Sequence, residues 1–259
     1  MLIRHFRLIV RLARRQIEEQ HRSSLLGMLW SLLTPIIMLA IYTFVFTVVF
    51  HARWEVDIPD RPAFAMVLYV GIIVVSMVTE CLTRAPTLLL NNQTYVKNVV
   101  FPIEILPWVQ ICVAIANAGF ALVALTAAHL LTRGALPLTA LWLPVLLAPM
   151  LLMVVGGGWL LASMGVFLRD IGQVVTFFTT MLLFVSPVFY PITALPPRLQ
   201  GLIYLNPATF PIEQARAAFL FGQRPDFVGL AIYTVVAWLV AWGGLLWFQN
   251  TRRGFADVM

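Results

Sequence analysis

Charge is what this sequence has least of. Asp, Glu, Lys and Arg make up 11% of its 259 residues, against roughly a quarter in soluble domains. Hydrophobic residues reach 61% and mean hydropathy is +0.91. This excludes an ordinary water-soluble domain and implies a chain that crosses a bilayer several times. Lysine is nearly missing, Lys97 being the one copy. No GxxxxGK[ST] stretch occurs, and the glycine-rich "GGGWLLAS" (156–163) lacks the lysine that would reach a phosphate, so ATP is not bound by that device. Clustered acids for a metal are missing, as is a His/Glu pair, which argues against a membrane-embedded transferase. Few ionisable groups sit inside the apolar runs, which argues against a proton- or ion-coupled transporter. Cys81 and Cys112 lie in apolar segments without CxxC or Cys/His spacing and read as buried free thiols, with neither a metal site nor a disulfide expected. The formal charge of +6 is mostly Arg at the ends of apolar runs, with no long basic patch or RNA-binding motif, so no nucleic-acid partner is expected.

Apolar runs are abundant. Those able to cross about 30 Å of hydrocarbon fall near 25–50, 62–83, 107–131, 139–168, 171–190 and 227–248, about six transmembrane helices in a single domain over 1–259. The first run is too long for a signal peptide and lacks a cleavage site, so it is expected to remain as a span. Only Arg169-Asp170 separates the fourth and fifth, which requires a tight turn. Six Arg in residues 1–22, then Arg84, Lys97, Arg169, Arg252 and Arg253, place both termini in the cytoplasm by the basic-residue rule. Pro35 breaks the backbone ladder of the first span, and Gly156, Gly157 and Gly158 permit close helix packing in the fourth. Glu80 is the deepest acid; Asn117 and His129 read as hydrogen-bonding or interface residues between helices.

Three segments outside the spans stand out. "LIRHFRLIVRLARRQIEEQ" (2–20) puts Ile3, Phe6, Ile9 or Val10, Ala13 and Ile17 on one helical face and Arg4, Arg7, Arg11, Arg14 and Arg15 elsewhere, an amphipathic helix for the membrane surface. The cytoplasmic connection 84–106 is long, and Asn91-Asn92-Gln93-Thr94 before "YVKNVV" predicts a short helix exposed to a soluble motor. "LPPRLQGLIYLNPATFPIEQARAAFLFG" (195–222) is too apolar for an open loop and too proline-rich to span. Pro196-Pro197 opens one short helix running to Tyr204, Asn206-Pro207 ends it, and Thr209 with Pro211 starts a second that stops at Gly222. The two are expected to form a re-entrant hairpin that dips into the outer part of the bilayer against the bundle, with Arg198, Glu213 and Arg216 reaching water. Tyr42, Phe46 and Phe50 recur on one face of the first span, and Phe178 and Phe189 share a face of the fifth; such rings contact lipid, pack helices or line a passage.

"RSSLLGMLWSLLTPIIMLAIYTFVFTVVFHARW" (22–54), "YVKNVVFPIEILP" (95–107) and "SPVFYPITALPPRLQGLIYLNPATFPIEQARAAFLFG" (186–222) resemble the permeases of ABC-2 type polysaccharide exporters, most of all O-antigen export permeases. "QIEEQHRSSLLG" departs from that family's usual form at Glu19-Gln20-His21-Arg22. The resemblance implies an all-α, multi-pass protein of the bacterial inner membrane. It implies a homodimer with two copies of a separate ATPase, which binds ATP and Mg, exporting a lipid-linked polysaccharide; the chain itself holds no cofactor and is no enzyme. Capsule or teichoic acid exporters, and ABC-2 exporters of small molecules or drugs, are the alternatives. The interface helix would be residues 1–22, with Arg4, Arg7, Arg11, Arg14 and Arg15 near the ATPase and membrane lipids. The coupling helix would carry Tyr95, Val96, Lys97 and Asn98. Tyr42, Phe46, Phe50, Phe178, Phe184 and Phe189 would line the channel. Periplasmic gate helices in 191–226 would carry Pro197, Leu202, Ile203, Tyr204, Pro211 and Glu213.

Overall fold

The computed structural model describes residues 2–21, 27, 29–49, 61–97, 101–168 and 170–255, and every regular element among them is helical. That is what an apolar environment demands, because a helix satisfies its backbone N–H and C=O groups internally. The helices are α1 (Leu2–His21), α2 (Leu29–Thr43, widening into a π-helix over Phe44–Val49), α3 (Arg61–Arg84), α4 (Gln93–Lys97) and α5 (Leu106–Arg133). After them come α6 (Leu143–Phe167), α7 (Ile171–Val185), α8 (Pro197–Gln200), α9 (Thr209–Phe219) and α10 (Phe227–Thr251).

Among the described residues, five helical stretches are long and apolar enough to span: Leu29–Phe46, Phe64–Thr87, Ile103–Arg133, Leu138–Phe167 and Phe227–Gly254. The chain is an all-α, multi-pass membrane protein. The apolar helix expected at 171–190 is present and shorter than expected. This helix, α7, holds 15 residues, about 22 Å at 1.5 Å per residue, and stops at Val185 before Ser186-Pro187. Proline has no N–H to continue the ladder, and the residue before it is driven out of the helical region; Ser186 sits at ψ 148°. The tight turn before α7 is present, with Ile171 N–H donating to the Leu168 carbonyl at 3.3 Å.

The centre of the bundle is α3. Leu68, Val70, Val74, Val75 and Val78 are all buried, and α2, α5, α6, α7 and α9 pack around it. By contrast α2 and α10 turn broad apolar faces outward, among them Ile36, Ile41, Trp238 and Trp242. One end of the bundle carries α1, α4, the end of α3 and the start of α5. At the opposite end lie α8 and α9.

Glycine allows a close helix contact. α6 and α10 meet backbone to backbone: a Cβ on Gly244 would lie 2.2 Å from the Gly156 carbonyl oxygen, and one on Gly156 would lie 2.7 Å from Ala241 Cα. The packing role expected of Gly156 is therefore real, shared with a glycine from the partner helix. Gly244→Ala should lower stability by roughly 1–3 kcal/mol, the usual cost of overpacking. Gly243→Ala meets no atom within 4 Å and should stabilise α10 by roughly 0.5–1 kcal/mol through helix propensity. Denaturation midpoints of the two purified variants check the contrast.

Candidate functional site

At one end of the bundle α1 lies against the start of α5. Ile9 and Ala13 are buried on Ile105, Val109 and Val113, and the Gln16 and Gln110 side chains exchange hydrogen bonds of 3.1 and 3.0 Å. Only part of the apolar face of α1 meets α5. Phe6 and Val10 stand outside it and are exposed, because α5 is one helix wide and covers only one line of α1. Arg7 and Arg11 are exposed, and Arg14 and Arg15 pair with Glu18 at 2.8 Å and Glu19 at 2.7 Å. Glu19 holds the Arg15 guanidinium charged above its ordinary range.

Between α1, residues 84–95 and α5 opens a cleft of about 700 Å³ lined by Leu12, Arg15, Glu19, Arg84, Tyr95 and Gln110 among others. The short helix expected in this connection exists as α4. Its polar approach is a 3₁₀ turn over Leu90–Asn92, in which the Asn92 amide donates back to the Leu88 carbonyl at 2.8 Å. Tyr95 stacks on Phe101, ring centroids 4.4 Å apart. Both ends of the connection are clamped to the spans. Pro86 sits so close to α6 that a Cβ on Gly165 would meet its carbonyl oxygen at 1.9 Å. At the far end Trp159 Nε1 donates to the Glu104 carbonyl at 2.9 Å, and the Glu104 carboxylate pairs with Arg252. The described ends of the connection are thus tied to α6 and to the residues that follow α10.

α7 runs antiparallel to α3. The Thr83 and Thr179 hydroxyls meet at 3.2 Å near one end, and Val188, just past α7, reaches Gly71 in the first half of α3. There the hairpin is pinned. Asn206 Nδ2 donates to Ser186 Oγ at 2.9 Å, Thr209 Oγ1 to the Ile203 carbonyl at 2.7 Å, and Tyr233 Oη of α10 to the Pro207 carbonyl at 2.7 Å. Arg216 is 2% exposed, so the expectation that it reaches water is overturned. Its Nε donates to the Val67 carbonyl at 2.9 Å, Nη1 to Pro187 O at 2.6 Å and to Glu213 Oε1 at 3.0 Å, and Nη2 to Val188 O at 2.9 Å. The signal was present in the sequence: Ile212, Ala215, Arg216 and Phe219 share one helical stripe, and all four are buried.

Of the other hairpin residues, Ile203 and Pro211 are buried, Glu213 is half-buried, and Pro197, Leu202 and Tyr204 are exposed. The first hairpin helix is shorter than expected, one α-turn at α8 followed by a 3₁₀ turn over Leu202–Leu205. The aromatic residues divide. Phe46, Phe184 and Phe189 come together, with Phe46–Phe189 at 6.3 Å and Phe184–Phe189 at 6.0 Å, and Phe46 also meets Phe64 at 5.7 Å. Tyr42 turns to Tyr69 instead, 6.4 Å away, while Phe178 is 60% exposed. Phe189 lies beyond the end of α7, so it shares no helical face with Phe178. Phe50, Asn98 and the Arg4, Val96 and Lys97 side chains lie outside the described residues. Asn117 bridges helices as expected, donating to Glu80 at 2.9 and 3.2 Å, and His129 packs edge-on against Phe219 at 6.0 Å.

Residues 7–220 match the ABC-2 type transporter family. Across 253 residues the chain is 24% identical to the O-antigen export system permease protein RfbA of Myxococcus xanthus, covering 96% of this chain and 94% of that protein. It is 22% identical over 256 residues to an O-antigen export system permease protein RfbA of Klebsiella pneumoniae, covering 98% and 95%. A shorter stretch of 85 residues is 39% identical to the inner membrane transport permease YadH of Escherichia coli K12, covering 30% of this chain and 33% of that one.

A charge at the α1–α5 seam should free α1. Ala13→Glu is expected to speed trypsin cleavage at Arg14 and Arg15 about tenfold or more, equivalent to roughly 1.4 kcal/mol of lost docking. Val10→Ser, on the exposed flank, should leave the rate as it was.

Proposed function

We propose that this chain, which belongs to the ABC-2 type transporter family, is the permease subunit of an exporter that carries lipid-linked polysaccharide, of the O-antigen class, across the bacterial inner membrane. The observation that carries this reading is similarity to O-antigen export permeases along nearly the whole length, at 22–24% identity. A separate ATPase supplies the energy and binds ATP and Mg; this chain makes and breaks no bonds.

Arginine placement supports cytoplasmic termini, which puts α1, α4 and the 700 Å³ cleft on the ATPase side. The amphipathic α1, with Arg7, Arg11, Arg14 and Arg15 outward, suits an interface between partner and anionic lipid. Tyr95, Val96, Lys97 and Asn98 form the contact that receives the motor's stroke, and the clamps at Gly165 and Glu104 give it a firm base. α8 and α9 then face the periplasm as the gate. A homodimer about a two-fold axis would bury the outward apolar rows of α2 and α7, including Phe177, Phe178 and Phe184, and bring the aromatic residues to a shared passage. Sugar C–H edges slide over such faces without being held tightly.

Deleting the gene should abolish surface polysaccharide on an immunoblot and leave resistance to hydrophobic drugs unchanged. The opposite pattern would make this a small-molecule exporter. In the complemented strain, alanine at Tyr95, Lys97 and Asn98 together should stop export while the permease still inserts; full export by that variant would remove the coupling assignment.

A further inference from the structure

We propose that Arg216 is the latch that holds the hairpin closed, and that Gly71 is the recess that admits it. The inference rests on the export reading for what the hairpin gates, but the geometry stands by itself.

Four observations carry it. First, the guanidinium is almost wholly enclosed, yet its bonds run to three different parts of the chain: Val67 on α3, Pro187 and Val188 in the break after α7, and Glu213 on its own helix. A planar fork with five donors can satisfy several carbonyls at once, and a lysine cannot reproduce that arrangement. Second, the room for it comes from glycine. A Cβ at Gly71 would stand 2.8 Å from Arg216 Nη2 and 3.4 Å from Val188 Cα, so any side chain there presses on both halves of the latch. Third, the carbonyls it takes from Pro187 and Val188 are available because the helix stops there. Buried carbonyls without donors are costly, so the break and the arginine require each other.

The fourth observation gives the latch a means of release. Both of its anchor points are the far ends of elements that start at the clamped connection. α3 leads into residues 85–97, and α7 is tied to the end of α3 by the Thr83–Thr179 bond and packs against residues 85–87. Sliding α7 along α3 separates Val67 from Pro187 and Val188, which a single guanidinium bridges only while they stay in register. The latch therefore opens on relative motion of α3 and α7, with no need for a ligand at the hairpin itself. Glu213, half-buried beside it, remains Arg216's partner on α9 once the carbonyls part.

Ile203, the buried residue in the hairpin's own 3₁₀ turn, is a reporter of its closure, and the native buried Cys81 in α3 reports general loosening. In the full chain with Cys112→Ala and Ile203→Cys, purified in nanodiscs without ATPase or polymer, maleimide labelling at position 203 should be slow. Arg216→Met should raise it about tenfold or more, as expected for loss of local closure, with Cys81 still unreactive. Gly71→Ala, which keeps the arginine, and Arg216→Lys should fall between. Unchanged labelling at 203 in all three variants overturns the latch, and so does a parallel rise at Cys81, which marks Arg216 as a purely structural residue. Because the assay needs no glycan, it separates the latch from the export reading: loss of surface polysaccharide on gene deletion tests the latter alone.

Discussion

The constraint on which the structure turns is that no backbone polar group can be left open in an apolar surround. Long helices meet it by themselves, and five of them do so here. The difficulty arises where α7 stops: the Ser186 carbonyl accepts from the Val188 N–H at 2.7 Å, but the buried Pro187 and Val188 carbonyls are left facing α3. The chain answers with directional polar bonds from the hairpin: Arg216 to Pro187 and Val188, and Asn206 to the Ser186 hydroxyl. Apolar packing alone would not achieve this, because it has no direction and would accept several hairpin positions. A guanidinium fork accepts one. The hairpin is thus fixed by geometry on its inner side while Leu199, Leu202, Tyr204 and Leu205 face outward.

Much of this was legible from residues. The places of the long helices follow from apolar run length, the short helix around Tyr95 from its flanking polar residues, and the hairpin's outline from Pro197, Asn206, Pro211 and Gly222. The close approach of α6 was visible in Gly156, although its partner was not, since one glycine says nothing of which helix will meet it. The misreadings have physical causes. Residues 171–190 stay apolar past Pro187, so hydropathy ran on where the backbone ladder could not. Arg216 was assigned to water because charge was weighed above position, whereas its place in the Ile212–Ala215–Phe219 stripe pointed inward.

The two ends of the molecule are joined through α3, and α3 is the helix least able to deform. It is buried on most sides and packed by α2, α5, α6, α7 and α9, which leaves little room for it to bend. α7 differs in kind: Val174, Phe177, Phe178, Met181 and Phe184 are exposed, and a threonine pair provides the polar tie to α3. A rigid central helix beside a lightly held short one is a geometry in which one element slides on the other with few bonds to break. Had α7 run the full width of the bilayer as a regular helix, it would have met the hairpin with its own carbonyls already occupied, and Arg216 would have had nothing there to hold. The break at Ser186-Pro187 is therefore what leaves the Pro187 and Val188 carbonyls for Arg216, and on the proposed latch it is where a displacement of α7 would be felt.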